Sequence, residues 1–228
     1  TNALKDIVAQ QVDRILYLND ELMEEDFQKL KEIFNKNRIP FVFANVYSHD
    51  PTVPAVGIDY EKAAYEITKL MIDETHTNIY MLTTARRYSV NELKERGYIK
   101  AMEEANLEPQ LFRTSGDTKI NRPHFETFFE NRRVDGAIGV RDSIAVSFMN
   151  SAIEHGKKVP IDLYVAGFQN TKYAELSRPR LTSIEIPVHE SGALSMRLLT
   201  KMMQKEPVED IKLVLPHKII HRQTTKKI

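Results

Sequence analysis

Two matching segments about 120 residues apart constrain this chain more than any other feature. Gln11-Val12-Asp13-Arg14-Ile15-Leu16 resembles Arg133-Val134-Asp135-Gly136-Ala137-Ile138. Each is preceded by a helical pattern and followed by another. Each second helical pattern ends in a basic-apolar-proline step, Arg38-Ile39-Pro40 or Lys158-Val159-Pro160, and runs into a strand. Helix, strand, helix, proline and strand recur in one order, which reads as an internal duplication. Two similar lobes follow, each a parallel sheet with helices on its faces.

Periodicity fills in the layers. Alternating or continuous apolar runs predict strands over 12–18, 40–44, 55–58, 78–82, 110–113, 137–140, 163–167, 212–215 and 218–222. Spacings of three and four predict helices over 2–11, 24–37, 60–74, 89–106, 122–131, 143–155 and 189–204. Phe27, Leu30, Ile33 and Phe34 share one helix face; Phe125, Phe128 and Phe129 read as core, and Met196, Met202 and Met203 as core or subunit interface. The second lobe has a strand, a helix and a strand ahead of its copy of the repeat, and the first lobe has room only for ten residues. The comparison therefore predicts a fragment of a longer protein with a truncated first lobe, since a lost central strand leaves unpaired edges.

Composition excludes several functions. Lys and Arg number 32 and Asp and Glu 32, so the chain lacks the clustered positive charge of a general nucleic-acid binder. No cysteine is present, which removes disulfides, thiolate metal sites and a Cys nucleophile, and fits a reducing, cytoplasmic setting. No apolar run is long enough to span a bilayer.

Catalytic and metal patterns are also missing. No phosphate loop, Gly-X-Gly-X-X-Gly, His-Glu-X-X-His or Gly-X-Ser-X-Gly occurs. The seven histidines are scattered; His217 and His221 alternate on a predicted strand and read as solvated. Paired acids such as Glu24/Glu25 and Glu103/Glu104 read as solvated helix faces. The expectation is no enzyme, no metal and no cofactor.

Ordered motifs carry a family resemblance. Lys94-Glu95-Arg96-Gly97-Tyr98 with Ala101-Met102, the Val134-to-Ile138 strand, His155 to Pro160 and Val165-Ala166-Gly167-Phe168 come first. Ser177 to Ser183, Gly192 to Leu199, and the tail from Leu215 to Thr225 complete the series. Together they resemble the LacI/GalR transcription regulators over essentially the whole chain, and within that family the branch concerned with carbon catabolite control. The resemblance implies an α/β, two-lobed, periplasmic-binding-protein-like (type I) fold with parallel sheets flanked by helices. The lobes are expected at 1–58 with 186–214, and at 59–185 with 215–228. It implies the ligand-sensing and dimerisation core of a repressor or activator, working as a homodimer. Operator DNA would be bound only through an upstream helix-turn-helix absent from this sequence. A secreted solute-binding protein of a sugar transporter is the alternative with the same fold.

The resemblance also assigns site residues. Lys94 stands where sugar-responsive members place an Arg, Arg141 where they place an Asn, and Gln169 where they place an Asp; Asn45 ends a first-lobe strand. The exchange loses a carboxylate and gains a cation. Three readings stay open: a cleft for an anionic ligand such as a sugar phosphate, a cleft with no effector of its own, or cations paired with local carboxylates such as Asp142. Arg178 and Arg180, straddling Pro179, are the candidate docking residues for a serine-phosphorylated phosphocarrier protein, because guanidinium suits phosphoserine. The basic end from Arg222 to Lys227 reads as a solvated tail.

Overall fold

The computed structural model describes residues 12–18, 20–46, 50–74 and 76–225. The helix predicted over 2–11 lies outside them. The chain divides into two units. Unit 1 holds the residues up to Asp59, then Tyr88–Val90 and Pro187–Pro216; unit 2 holds Tyr60–Arg87, Asn91–Ile186 and the chain from His217 onward.

In unit 1, strands β1 (Ile15–Tyr17), β2 (Phe41–Ala44), β3 (Ala55–Ile58) and β9 (Lys212–Leu215) form a parallel sheet in the order β1-β2-β3-β9. Helix α1 (Glu24–Lys36) and helix α7 (Val188–Gln204) accompany it. Alternation along β2 decides which helix meets which face. Phe41 and Phe43 point one way and meet Phe34 and Phe27 of α1, with ring centroids 5.1 and 5.0 Å apart. Val42 points the other way and joins Val56, Leu198 and Leu199 in a buried cluster beneath α7. The start of α1 is fixed by Asp26, whose carboxylate accepts the Met23 N–H at 3.0 Å and which, with Glu24 and Glu25 in the first turn, complements the helix dipole.

Unit 2 contains β4 (Ile79–Thr84), β5 (Gln110–Thr114), β6 (Gly136–Gly139), β7 (Tyr164–Phe168), β8 (Thr182–Glu185) and β10 (Lys218–Ile220), ordered β10-β8-β7-β6-β4-β5. All pairings are parallel except β10 with β8. Its helices are α2 (Tyr60–Asp73), α3 (Ser89–Glu104, of which Ser89 and Val90 fall in unit 1), α4 (Thr118–Asn131), α5 (Asp142–Glu154) and the short α6 (Lys172–Leu176). Phe125 and Phe128 of α4 pack edge-on against Phe148 of α5, both at 5.2 Å between centroids, and Phe128 also meets Tyr80 of β4.

The repeat is visible in the pairing. β1, α1, β2 and β3 follow one another as β6, α5, β7 and β8 do, apart from the short α6 between β7 and β8, each set parallel and in one order. β6 has β4 on its other side; among the described residues β1 is an edge strand.

The Gly-Tyr motif has a packing reason. A Cβ on Gly97 would lie 1.9 Å from the Glu61 carbonyl oxygen and 2.9 Å from the Tyr65 nitrogen, so α3 meets the backbone of α2 directly. Tyr98, next to it, is buried; its hydroxyl donates to Ile79 O and accepts from Gln110 N, each at 2.7 Å, joining the starts of β4 and β5.

Several expectations need correction. Arg222 to Thr225 are not a solvated tail: Thr224 and Thr225 are buried, and Thr224 Oγ1 donates to Val165 O. Residues 226–228 lie outside the described set. His217 is not solvated either, because its Nε2 lies 2.8 Å from Glu66 and its side chain is 8% exposed. Met196 is exposed and so not part of the core, whereas Met202 packs on the α7 cluster. Helix α6 was not foreseen, and β1 is shorter than the strand predicted over 12–18. Among the described residues no helix is long and apolar enough to cross a membrane.

Candidate functional site

In a parallel sheet flanked by helices, ligands meet the chain beyond the carboxyl ends of the strands. In unit 2 that edge is made where β4, β5, β6 and β7 stop. β6 ends in Gly139, where a Cβ would come within 2.7 Å of Ala145 N; glycine lets the chain turn tightly into α5. Arg141 is the extended residue at the helix start and is half-buried.

Asp142, the first residue of α5, is 1% exposed. Its Oδ2 accepts from Thr171 N at 2.6 Å and Thr171 Oγ1 at 2.9 Å, and its Oδ1 accepts from Ser183 Oγ at 2.6 Å. Burial pushes its pKa up; the bonds from Ser183 and Thr171 and the charge of Arg222 pull the other way. Gly167 leaves space for this carboxylate, since a Cβ there would stand 2.4 Å from Asp142 Oδ1.

Lys94 enters from α3 and is 1% exposed. Its ammonium donates to Val140 O at 3.0 Å and lies 4.8 Å from the centroid of the Phe168 ring and 5.2 Å from that of Tyr60. The carbonyl and two π faces compensate part of the cost of burying a cation. Behind it, Arg113 grips Glu95 with two parallel bonds of 3.0 and 2.9 Å, and Thr83 Oγ1 donates to the same carboxylate at 2.5 Å.

The structure brings three of the expected residues to one edge. Lys94 binds the carbonyl just before Arg141 and lies over the ring just before Gln169. Gln169 and Asn170 both have positive φ, 98° and 50°, which side-chain-bearing residues seldom adopt. Asn45 belongs to unit 1, where it follows β2 with φ 59° and donates its backbone N–H to Val56 O at 2.8 Å. The hydrogen bonds of Asp142 go to Thr171 and Ser183.

Arg178 and Arg180 are exposed on the segment between α6 and β8. Arg178 Nη1 donates to the carbonyls of Glu175, Leu176 and Ser177, at 3.4, 3.1 and 2.8 Å, and so caps α6. The Arg180 N–H donates to Gln223 Oε1 at 2.8 Å, and the Arg180 carbonyl accepts from Gln223 N–H at 3.0 Å.

Sequence reasoning missed the polar web joining Asn170, Ser183, Glu185 and Arg222. The tail motif that contains Arg222 was the available signal. Among the described residues no group of three or more His, Asp or Glu is arranged to hold a metal ion.

Known proteins resemble the chain throughout. Residues 68–225 match the family described as periplasmic binding protein-like domain. Catabolite control protein A of Priestia megaterium is 34% identical over 98% of this chain and 68% of its own length. That of Staphylococcus xylosus is 30% identical over 96% of this chain and 66% of its own length. The crystal structure of the transcription regulator CcpA of Lactococcus lactis superposes with a TM-score of 0.86 at 32% identity, covering 99% of this chain and 82% of that one. The chain thus spans about two thirds of the length of these sequence relatives.

Proposed function

Because this chain belongs to the LacI/GalR family of transcription regulators, with the periplasmic-binding-protein-like fold, we propose that the carboxyl edge of unit 2 senses an anionic effector. The chain is the effector-binding regulatory core of such a regulator; its relatives are regulators rather than enzymes, and the transporter reading is not favoured. The effector class is a sugar phosphate, met by Arg141 and Gln169.

The observation that carries this reading is the Lys94 ammonium, buried against Val140 O immediately before Arg141. A cation shielded from water acts on its surroundings at lower dielectric than a surface lysine, so it favours negative charge at the adjacent turn. Arg141 stands at the amino end of α5, where the helix dipole adds to the same sign. Calorimetric titration with fructose bisphosphate and with neutral sugars tests it. Heat with the bisphosphate, weakened about tenfold or more in Arg141→Ala, is expected; heat with neutral sugars alone overturns the reading.

The remaining partners belong to the same proposal. The protein works as a homodimer in the cytoplasm on genes of carbon catabolite control, and reaches operator DNA through a helix-turn-helix outside this sequence. Tyr173 and Leu176, exposed beside Val146, supply an apolar patch that supports self-association. The exposure of Arg178 and Arg180 favours a serine-phosphorylated phosphocarrier protein as a second controlling partner; unchanged affinity in Arg178→Ala removes it.

A further inference from the structure

The turn that presents Gln169 is tied by one side chain to two of the chain segments through which unit 2 continues into unit 1. Glu185 closes β8, one residue before unit 2 ends at Ile186. Lys218, in the segment that re-enters unit 2 at His217, pairs with Glu185 in the β10–β8 ladder. Asn170 Nδ2 donates to Glu185 Oε1 at 3.0 Å, and Asn170 Oδ1 accepts from Arg222 Nη2 at 2.6 Å. Arg222 is itself fixed to the same strands: its backbone N–H donates to Thr182 Oγ1 and its Nη1 to Leu181 O.

The backbone of the turn follows the same strand. Gln169 N–H donates to Ile184 O at 2.8 Å, and Asn170 N–H donates to Ser183 Oγ at 3.0 Å. Two successive non-glycine residues at positive φ persist only where surrounding bonds over-determine them. Loss of one bond therefore lets the turn relax, and displacement of the turn pulls on β8 and β10 together.

We infer that Asn170 is a positioning residue that couples the Gln169 turn to the crossover segments at Glu185 and at Lys218–Arg222, so that occupancy at the turn is transmitted to them. The biological meaning rests on the effector reading above; the bonds do not.

Hydrogen exchange on the whole chain, without ligand, tests the coupling. Asn170→Asp is selective: Asp tolerates left-handed φ as Asn does and keeps the Arg222 bond, but sets a carboxylate against Glu185. Exchange at 169–171 and at 183–185 and 218–220 is expected to rise together by about tenfold. In the double variant Asn170→Asp/Glu185→Gln, the new amide donates to the new carboxylate, and both regions return toward the parent rates. This rescue separates a directed bond from general loosening. A rise confined to 169–171, or no rescue, overturns the inference. Should Asn170→Asp not fold, Glu185→Ala carries the test: joint loosening supports the coupling, and an unchanged turn overturns it. Absence of heat with fructose bisphosphate would remove the effector reading while leaving this ligand-free result to stand.

Discussion

Units 1 and 2 repeat one construction and differ in what they bury. In unit 1 the central strand β2 is sealed by apolar side chains on both faces, with α1 aromatics on one side and α7 aliphatics on the other. In unit 2 the apolar layers are present too, yet the carboxyl edge also buries Thr83, Glu95, Lys94, Asp142 and Ser183 in bonds of fixed direction. Apolar packing tolerates substitutions that conserve volume, whereas a satisfied polar web specifies one arrangement and is costly to break. The edge that buries Lys94 and Asp142 is the one built from directional bonds.

The largest expected effect lies where a helix of unit 2 meets another helix without side chains between. Gly97→Ala places a carbon 1.9 Å from a carbonyl oxygen of α2, and neither backbone can yield without the other. A loss of about 3 kcal/mol or more is expected from a urea-unfolding curve, as for a severe overpacking change. A loss below about 1 kcal/mol would show that α3 and α2 can separate at little cost, and would weaken the contrast between a tightly specified unit 2 and a tolerant unit 1.

Asp142 and Asp50 sharpen the contrast through the sign of their pH dependence. Burial raises the Asp142 pKa, so the folded state holds its proton more tightly than the unfolded state. Its contribution is full below the ordinary value of 3.8 and is lost as pH rises through the raised folded value. Asp50 in unit 1 is the reverse. Bonds from Lys31, Thr52 and Gln28 hold its carboxyl well below the usual carboxylate range. Its contribution is present above 3.8 and is lost as pH falls toward the depressed value. Asp142→Asn should cost about 1–2 kcal/mol at neutral pH, since one oxygen that accepts becomes an NH2 facing donors. That deficit should widen as pH is lowered toward 4, because only the parent gains by protonation. The deficit of Asp50→Asn should shrink as pH falls below 3.8. Stability curves of the two variants that ran parallel in pH would break the distinction.

Much of the layered fold was legible because it rests on local periodicity. Phe27, Leu30 and Phe34 announce a helix face, and the duplicated Val-Asp step announces equivalent strands β1 and β6. Helix α6 was not legible, because five residues make too few turns to display a period. The Gly-Tyr motif was visible as letters, but the contact of Gly97 with Glu61 and the bridge from Tyr98 between two strands join segments distant in sequence. The site divides in the same way. Motif position assigned Lys94, Arg141 and Gln169 to one edge. It could not show that Lys94 is buried under two rings, nor that Arg222, in a basic terminal stretch, folds back onto Asn170. A terminal cluster of Lys and Arg has the composition of a solvated tail whether or not one guanidinium is claimed by the fold.

The smallest expected effect has the opposite sign and belongs to unit 1. Gly192 lies within α7, and a Cβ added there meets nothing within 4 Å. Its φ is not in the left-handed region, so alanine fits the backbone. Glycine costs a helix interior conformational entropy that alanine does not, and the gain from Gly192→Ala should be about 0.5–1 kcal/mol. For a chain of this size that is a rise of about 1–4 °C in Tm by differential scanning calorimetry. Gly97 and Gly192 thus stand on helices of the two units with opposite answers to one added methyl group. The first is required by a backbone-to-backbone approach, and the second carries only the entropic cost of glycine. If Gly192→Ala lowered Tm instead, a methyl group would be meeting atoms that unit 1 alone does not bring to that face of α7, and the face would have to be assigned to an interface between copies.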